Sequence, residues 1–328
     1  MVSYWFAMAL TFYTKIKFFF LLLIFLLADA EFSLSQSELK TASFSLCVPE
    51  KNFLSQSFKG TKPNIIQDST NSLLPFFEKL ASLRNPADTA KTIVRIVHIG
   101  DSHVRSHEIT SALNLQLIEN FGNAATGFIE GYKSNGILEE SGATGVICHC
   151  IGINGATSQN FLDTAYLAKI QQLKPDLIII SLGTNEGIGR YDASWHYQMM
   201  TNLYFALKNF CSNTPILYTT PPGAFKTIYK RYRRHRHYYT KVIKIEENTN
   251  IEKSAATIVR FAADHKAACW DLYNIAGGNY FACKNWLNGD FYRQDKIHFT
   301  RDGYALQGNL LSEALIKAYN NAVCNAGN

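Results

Sequence analysis

The stretch PDLIIISLG (175–183) is apolar at every position from Leu177 to Ile180 and is closed off by a proline before it and a glycine after it. A strand with one wet face alternates apolar and polar residues. A run apolar at every position needs cover on both faces, which a parallel sheet between two helical layers supplies. The rest of the chain fits that frame. Further strand candidates lie at 93–99, 146–153, 215–223 and 268–272, and helical spacing recurs at 71–83, 106–121, 157–173, 195–211, 251–266 and 301–323. Strands alternating with helices of this length imply βαβ units and a parallel sheet with helices on both faces.

The ends of the chain read differently. Lys15 and Lys17 precede an eleven-residue apolar run, Phe18 to Ala28, followed by Asp29 and Ala30. A basic flank, a short apolar core and a small-x-small site describe a secretory signal peptide, and the run is shorter than the roughly 20 residues of a spanning helix. The expected organisation is therefore a signal peptide over 1–30 cleaved after about Ala30, a polar lead-in segment over 31–70, and one domain over 71–328, secreted or periplasmic. An uncleaved N-terminal anchor is the alternative. Removing two lysines and one aspartate takes the formal net charge from +6 to (32 − 2) − (26 − 1) = +5.

The positive excess is concentrated in KTIYKRYRRHRHYYTK, from Lys226 to Lys241, which holds no acid. Such a run attracts a polyanion, or else forms a solvated loop or helix face. The seven cysteines form no CxxC pair. An odd number leaves at least one thiol unpaired, and one disulfide fits an exported chain. Cys148 and Cys150 alternate with apolar residues as core positions of a strand.

In parallel α/β sheets ligands gather at the carboxyl ends of the strands. There the chain places Gly100-Asp101-Ser102-His103, then Asn154-Gly155-Ala156-Thr157, then Gly183-Thr184-Asn185-Glu186; Asp295-Lys296-Ile297-His298 precedes the last helix. Each segment has a part in acyl transfer. A serine on a strand-to-helix turn exposes its hydroxyl, and its own N–H, the Gly155 N–H and the Asn185 amide can converge on a developing oxyanion. His298 would take the serine proton and Asp295 would orient the imidazole.

The order GDS(H), NGAT, GTN(E), DxxH resembles the SGNH (GDSL-type) hydrolase family, over roughly 93–319. That resemblance implies a three-layer α/β/α flavodoxin-like fold with a mostly parallel five-stranded sheet. It also implies nucleophile Ser102, base His298, supporting Asp295 and an oxyanion hole of Ser102, Gly155 and Asn185. Two departures stand out. GDSH replaces GDSL, a variant resembling members that deacetylate peptidoglycan or other polysaccharides, and GTNE replaces the usual GxND at Glu186.

The dense HIGDSHVRSHE (98–108) also raises a metal reading, because Asp101-x-His103 after a strand resembles the first motif of metallophosphoesterases. A two-metal site needs further ligands from other strand ends. Those ends offer Asn154, Asn185 and Glu186 but no histidine, so no metal and no organic cofactor is expected. Of the aromatics ahead of the base, Trp286 and Tyr292 could wall the substrate site; packing of that loop against the domain is the alternative. The expectation is a serine esterase removing small acyl groups, acetyl foremost, from a cell-wall or other polysaccharide. The run from Lys226 to Lys241 would contact an anionic polymer, with no nucleic-acid partner and no stable membrane anchor after signal cleavage. A lysophospholipase or thioesterase of the same fold, or a non-catalytic glycan-binding protein, is the alternative.

Overall fold

A computed structural model describes residues 46–85, 91–125, 140–234 and 237–324, with the side chains of 234, 240, 242 and 243 left aside. The expected signal peptide and residues 31–45 of the lead-in segment lie outside the described residues. The sheet has six strands: β1 (Ile66–Gln67), β2 (Ile93–Gly100), β3 (Gly145–Gly152), β4 (Leu177–Ser181), β5 (Ile216–Thr219) and β8 (Ala268–Trp270). Their order is β1-β8-β5-β4-β2-β3, parallel throughout except for β1, which runs antiparallel to β8. The five parallel strands are those the sequence marks, and in chain order they lie 2-1-3-4-5, the flavodoxin-like arrangement. The sixth comes from the lead-in, which the structure thus joins to the domain from residue 46 onward.

Alternate residues of each strand feed two cores. Val94, Ile96, Leu177 and Ile179 pack with the helices Leu74–Ser82, Glu108–Phe121 and Arg301–Val323 on one face. Val97, Ile99, Ile178 and Ile180 pack with Thr164–Gln172, Ala193–Phe210 and Thr249–Asp264 on the other. This is the three-layer sandwich that an unbroken apolar strand demands. Cys148 and Cys150 are both buried. Cys47 and Cys324 form a disulfide across a sequence separation of 277, tying the start of the described chain to the end of its last helix.

Two more strands, β6 (Phe225–Arg234) and β7 (His237–Glu247), pair antiparallel as a ribbon separate from the sheet. The basic run is therefore neither loop nor helix; it is a hairpin inserted after β5. Its residues 235 and 236 lie outside the described residues.

Candidate active site

The register lines up Gly100 with Gly152 and Ser181, and Ser181 with Thr219, so the loops of interest leave from one edge of the sheet. Two glycines allow the first turn to settle there. A Cβ on Gly100 would lie 2.4 Å from the Ser181 carbonyl oxygen, and one on Gly152 would lie 2.2 Å from the Arg105 nitrogen. Without them the short helix Ser102–Arg105 could not rest on the strand ends. Asp101 caps that helix by accepting from the His103 N–H at 2.9 Å. Its first N–H groups, starting at Ser102, have no acceptor within the helix.

The Ser102 hydroxyl is 2.8 Å from His298 Nε2, although 196 residues separate them. His298 Nδ1 lies 2.8 Å from Asp295 Oδ2. The other Asp295 oxygen accepts from the backbone N–H groups of Ile297 and His298, each at 2.9 Å. One carboxylate thus shapes the loop and fixes the ring. Desolvation raises the Asp295 pKa, but the His298 hydrogen bond and the two N–H groups outweigh it and hold the carboxyl below its ordinary value. A carboxylate accepting from Nδ1–H leaves Nε2 bare toward the serine, the arrangement in which an imidazole removes a hydroxyl proton.

Asn185 links the remaining parts. Its amide donates to Asp101 Oδ2 at 3.2 Å and to the Ala156 carbonyl at 3.0 Å. It therefore spans from the residue before Ser102 to the residue after Gly155. Gly155 is exposed, with φ +71°, a backbone conformation open to glycine and strained for most other residues. All three segments expected to supply oxyanion donors thus meet around the Asn185 amide.

Two acids to which the sequence assigned no part in catalysis hold this frame. Asp101 is buried, and burial pushes its carboxyl up to about 7. Glu186 is also buried; its oxygens accept from Gly183 N at 2.9 Å and from Ser158 N at 3.0 Å. It clamps the loop that bears Asn185 to the one that bears Gly155, and burial raises it to about 7 as well. Burial also keeps His196, 3.9 Å from Glu186, neutral by lowering it to about 4. The signal for Glu186 was its departure from the usual motif, a carboxylate one methylene longer that reaches across to Ser158.

His98 and His103 of HIGDSHVRSHE are placed for packing. His98 uses both ring nitrogens, on Thr110 at 2.9 Å and Ser181 at 2.7 Å. His103 is buried with its ring 5.3 Å from that of His298 and Nδ1 3.1 Å from the Tyr304 hydroxyl; desolvation lowers it to about 3. Among the described residues no group of three or more His, Cys, Asp or Glu is spaced to hold a metal ion.

Trp286 requires a correction. It is fully buried on the helix Gly278–Asn288, packed edge-on against Phe58 and Phe299, with its indole N–H given to the Pro222 carbonyl at 2.9 Å. It cannot wall an open substrate site. Tyr292 is half-buried against Phe299 and spends its hydroxyl on the Gly223 carbonyl at 3.0 Å. Both pack the base-bearing loop onto the domain. Behind Asp101 and His103 lies a cavity of about 30 Å³, lined also by Leu182, Pro221 and Gln307.

The sequence profile of the GDSL-like lipase/acylhydrolase family matches residues 130–306, which include Gly155, Asn185, Asp295 and His298 and begin beyond Ser102. No curated protein sequence gives a match. Among solved structures, one described as a peptidoglycan O-acetylesterase in action superposes with a TM-score of 0.62 at 17% identity, covering 77% of this chain and 99% of its own. An acetyl xylan esterase gives 0.44 at 15% identity, covering 66% of this chain and 98% of its own. At these identities the likeness is one of fold.

Proposed function

Because the chain belongs to the GDSL-like lipase/acylhydrolase family, we propose that this ester-hydrolysing enzyme is an exported serine O-acetylesterase acting on a cell-wall or other polysaccharide. The observation that carries the reading is the unbroken hydrogen-bonded chain from Ser102 through His298 to Asp295, with 2.8 Å at each link.

In the proposed reaction the Ser102 oxygen attacks the ester carbonyl as its proton passes to His298 Nε2. The negative charge on the carbonyl oxygen is met by the N–H groups of Ser102 and Gly155 and by the Asn185 amide, a kind of stabilisation worth several kcal/mol. Collapse expels the sugar alcohol, which takes the proton from His298. Water, deprotonated by the same ring, then releases the acid from acyl-Ser102. In the free enzyme both Asn185 N–H bonds are engaged, and the longer one, to Asp101, is the one to yield to an oxyanion.

A small acyl group is supported by the first block, GDSH, the variant that resembles members deacetylating polysaccharides. Export is supported by the Cys47–Cys324 disulfide, a bond that persists in oxidising compartments. Among the described residues no helix is long and apolar enough to cross a membrane. The fold shared with a peptidoglycan O-acetylesterase favours a polysaccharide.

The test is p-nitrophenyl acetate turnover by the wild type and by Ser102→Ala, compared with butyrate and octanoate esters. Absent wild-type turnover, or a Ser102→Ala enzyme as fast as wild type, would sink the proposal; preference for octanoate would favour the lipase reading. Acetate release from O-acetylated peptidoglycan and from acetylated xylan then separates the polymers.

A further inference from the structure

The β6–β7 ribbon is left unused by the chemistry above. A two-stranded ribbon is marginally stable alone, and this one gains no strand neighbour from the sheet. It also carries a cost in its register: Lys230 stands directly across from Lys241, and like charges in that position repel. No acid occurs between Lys226 and Glu246 in the sequence. Glu246 at the root pairs with Lys226 at 3.1 Å and also with Lys244. An arrangement that is self-repelling when empty is relieved by an anion.

The register also sorts side chains by face. Arg233 lies across from Tyr238, and the Arg231 guanidinium sits 4.2 Å from the Tyr238 ring centre. On the opposite face Tyr232 and Tyr239 stack across the strands at 5.6 Å, with the Lys230 ammonium 5.3 Å from the Tyr232 ring. Cations held against flat rings keep their charge available while their stems are ordered. Tyr238 and Tyr239 are 57% and 48% exposed. Each face thus offers positive charge beside an amphipathic ring, the pairing that suits a polymer of sugar rings bearing carboxylates. Ten residues of strand extend about 33 Å, enough to follow an extended chain.

The root of the ribbon is tied to the catalytic loop. The Phe225 N–H donates to the Lys296 carbonyl at 2.9 Å, and the Phe225 ring meets Tyr292 at 5.6 Å. Lys296 lies between Asp295 and His298. A strand held on the ribbon would therefore be led toward Ser102.

We propose that the β6–β7 ribbon is a docking arm for a carboxylate-bearing glycan, the polymer whose acetyl groups the site removes. This rests on the esterase reading for its second half only. The test uses the full-length protein and a variant combining Lys230→Gln, Arg231→Gln, Arg233→Gln and Lys241→Gln, which leaves the root lysines in place. Wild type should bind polygalacturonate and O-acetylated peptidoglycan, lose that binding as salt rises from about 0.1 to about 1 M and the screening length falls from about 10 to about 3 Å, and bind neutral acetylated xylan poorly. Four exposed charge contacts of ordinary strength predict about tenfold weaker binding by the variant. KM for O-acetylated peptidoglycan should rise by a similar factor, with p-nitrophenyl acetate turnover unchanged and the melting temperature no lower. Binding to either carboxylate polymer upholds the proposal, and their ratio identifies the source. Unchanged binding by the variant overturns it, as does an equal loss on neutral xylan. Tighter wild-type binding to phosphatidylglycerol vesicles or to single-stranded DNA than to both glycans also overturns it. If wild type fails to hydrolyse p-nitrophenyl acetate, the esterase reading falls, while polygalacturonate binding still decides the ribbon.

Discussion

Replacing Asp295 by asparagine or by alanine separates two jobs that one carboxylate performs. Oδ1 caps the backbone N–H groups of Ile297 and His298, and Oδ2 accepts from His298 Nδ1. Asparagine keeps the capping oxygen but turns an NH₂ toward Nδ1, which favours the tautomer with its proton on Nε2, facing Ser102. It also removes the charge that stabilises the imidazolium. Opposite charges about 4 Å apart interact by about 1 kcal/mol in water and about 4 at a protein surface. The Asp295 side chain is 47% exposed, which places the charge contribution near the middle of that range. With the tautomer penalty added, kcat/KM for p-nitrophenyl acetate should fall about 10² to 10³-fold, or about 2.7–4 kcal/mol. That is below the roughly 10⁴-fold seen when a buried triad aspartate is so changed. Alanine leaves the tautomer free but abandons two backbone donors, so it should cost less rate and more stability, about 1 kcal/mol and 2–4 °C. Rates and melting curves should therefore rank the two variants in opposite orders. The same rank in both, or Asp295→Asn within threefold of wild type, would refute the assignment of orientation to Asp295.

Glu186→Gln should leave at least one buried N–H, of Gly183 or Ser158, without an acceptor, costing about 1–3 kcal/mol; kcat should fall with KM unchanged, and a lower melting temperature at full kcat would reduce Glu186 to scaffold. Asp101 holds its proton more tightly folded, at about 7, than unfolded, at about 3.9, so its contribution to stability falls as pH rises from about 4 to about 7. Asp101→Asn removes that slope, so its melting temperature relative to wild type should climb across this window; a constant difference would contradict it. Serine at Cys47 and Cys324 opens a loop closed across 277 residues, for which chain entropy sets an upper bound of about 5–6 kcal/mol. Melting should drop by about 10–20 °C at most, with esterase activity at room temperature retained in the folded fraction.

Four of the five parallel strands were legible as mainly apolar runs closed by glycine or proline, and β8 as a shorter one ending at Asp271. Their order brought the strand-end motifs to one edge, and that made Ser102 and His298 readable as partners. What the sequence hid has physical reasons. β1 has two residues, too few to show a period. The ribbon is dense in lysine, arginine and tyrosine, so it reads as a charge run. The helix Gly278–Asn288 opens on glycine and asparagine, poor helix formers, and owes its form to packing through Ala282, Cys283 and Trp286. The helix expected over 106–121 starts at Glu108, because His107 before it adopts φ +66°. Asp101 stood out as a metal candidate, and its use as an acceptor for Asn185 depends on a contact across 84 residues.

The last helix, Arg301–Val323, starts three residues after His298 and ends beside the disulfide. Its 23 residues make a rod about 35 Å long. The cystine fastens Cys47 to the far end of that rod. Cys47 thus sits at the opposite pole from the loop that holds the catalytic base. A support that held the protein at that pole would leave the loop of His298 facing outward.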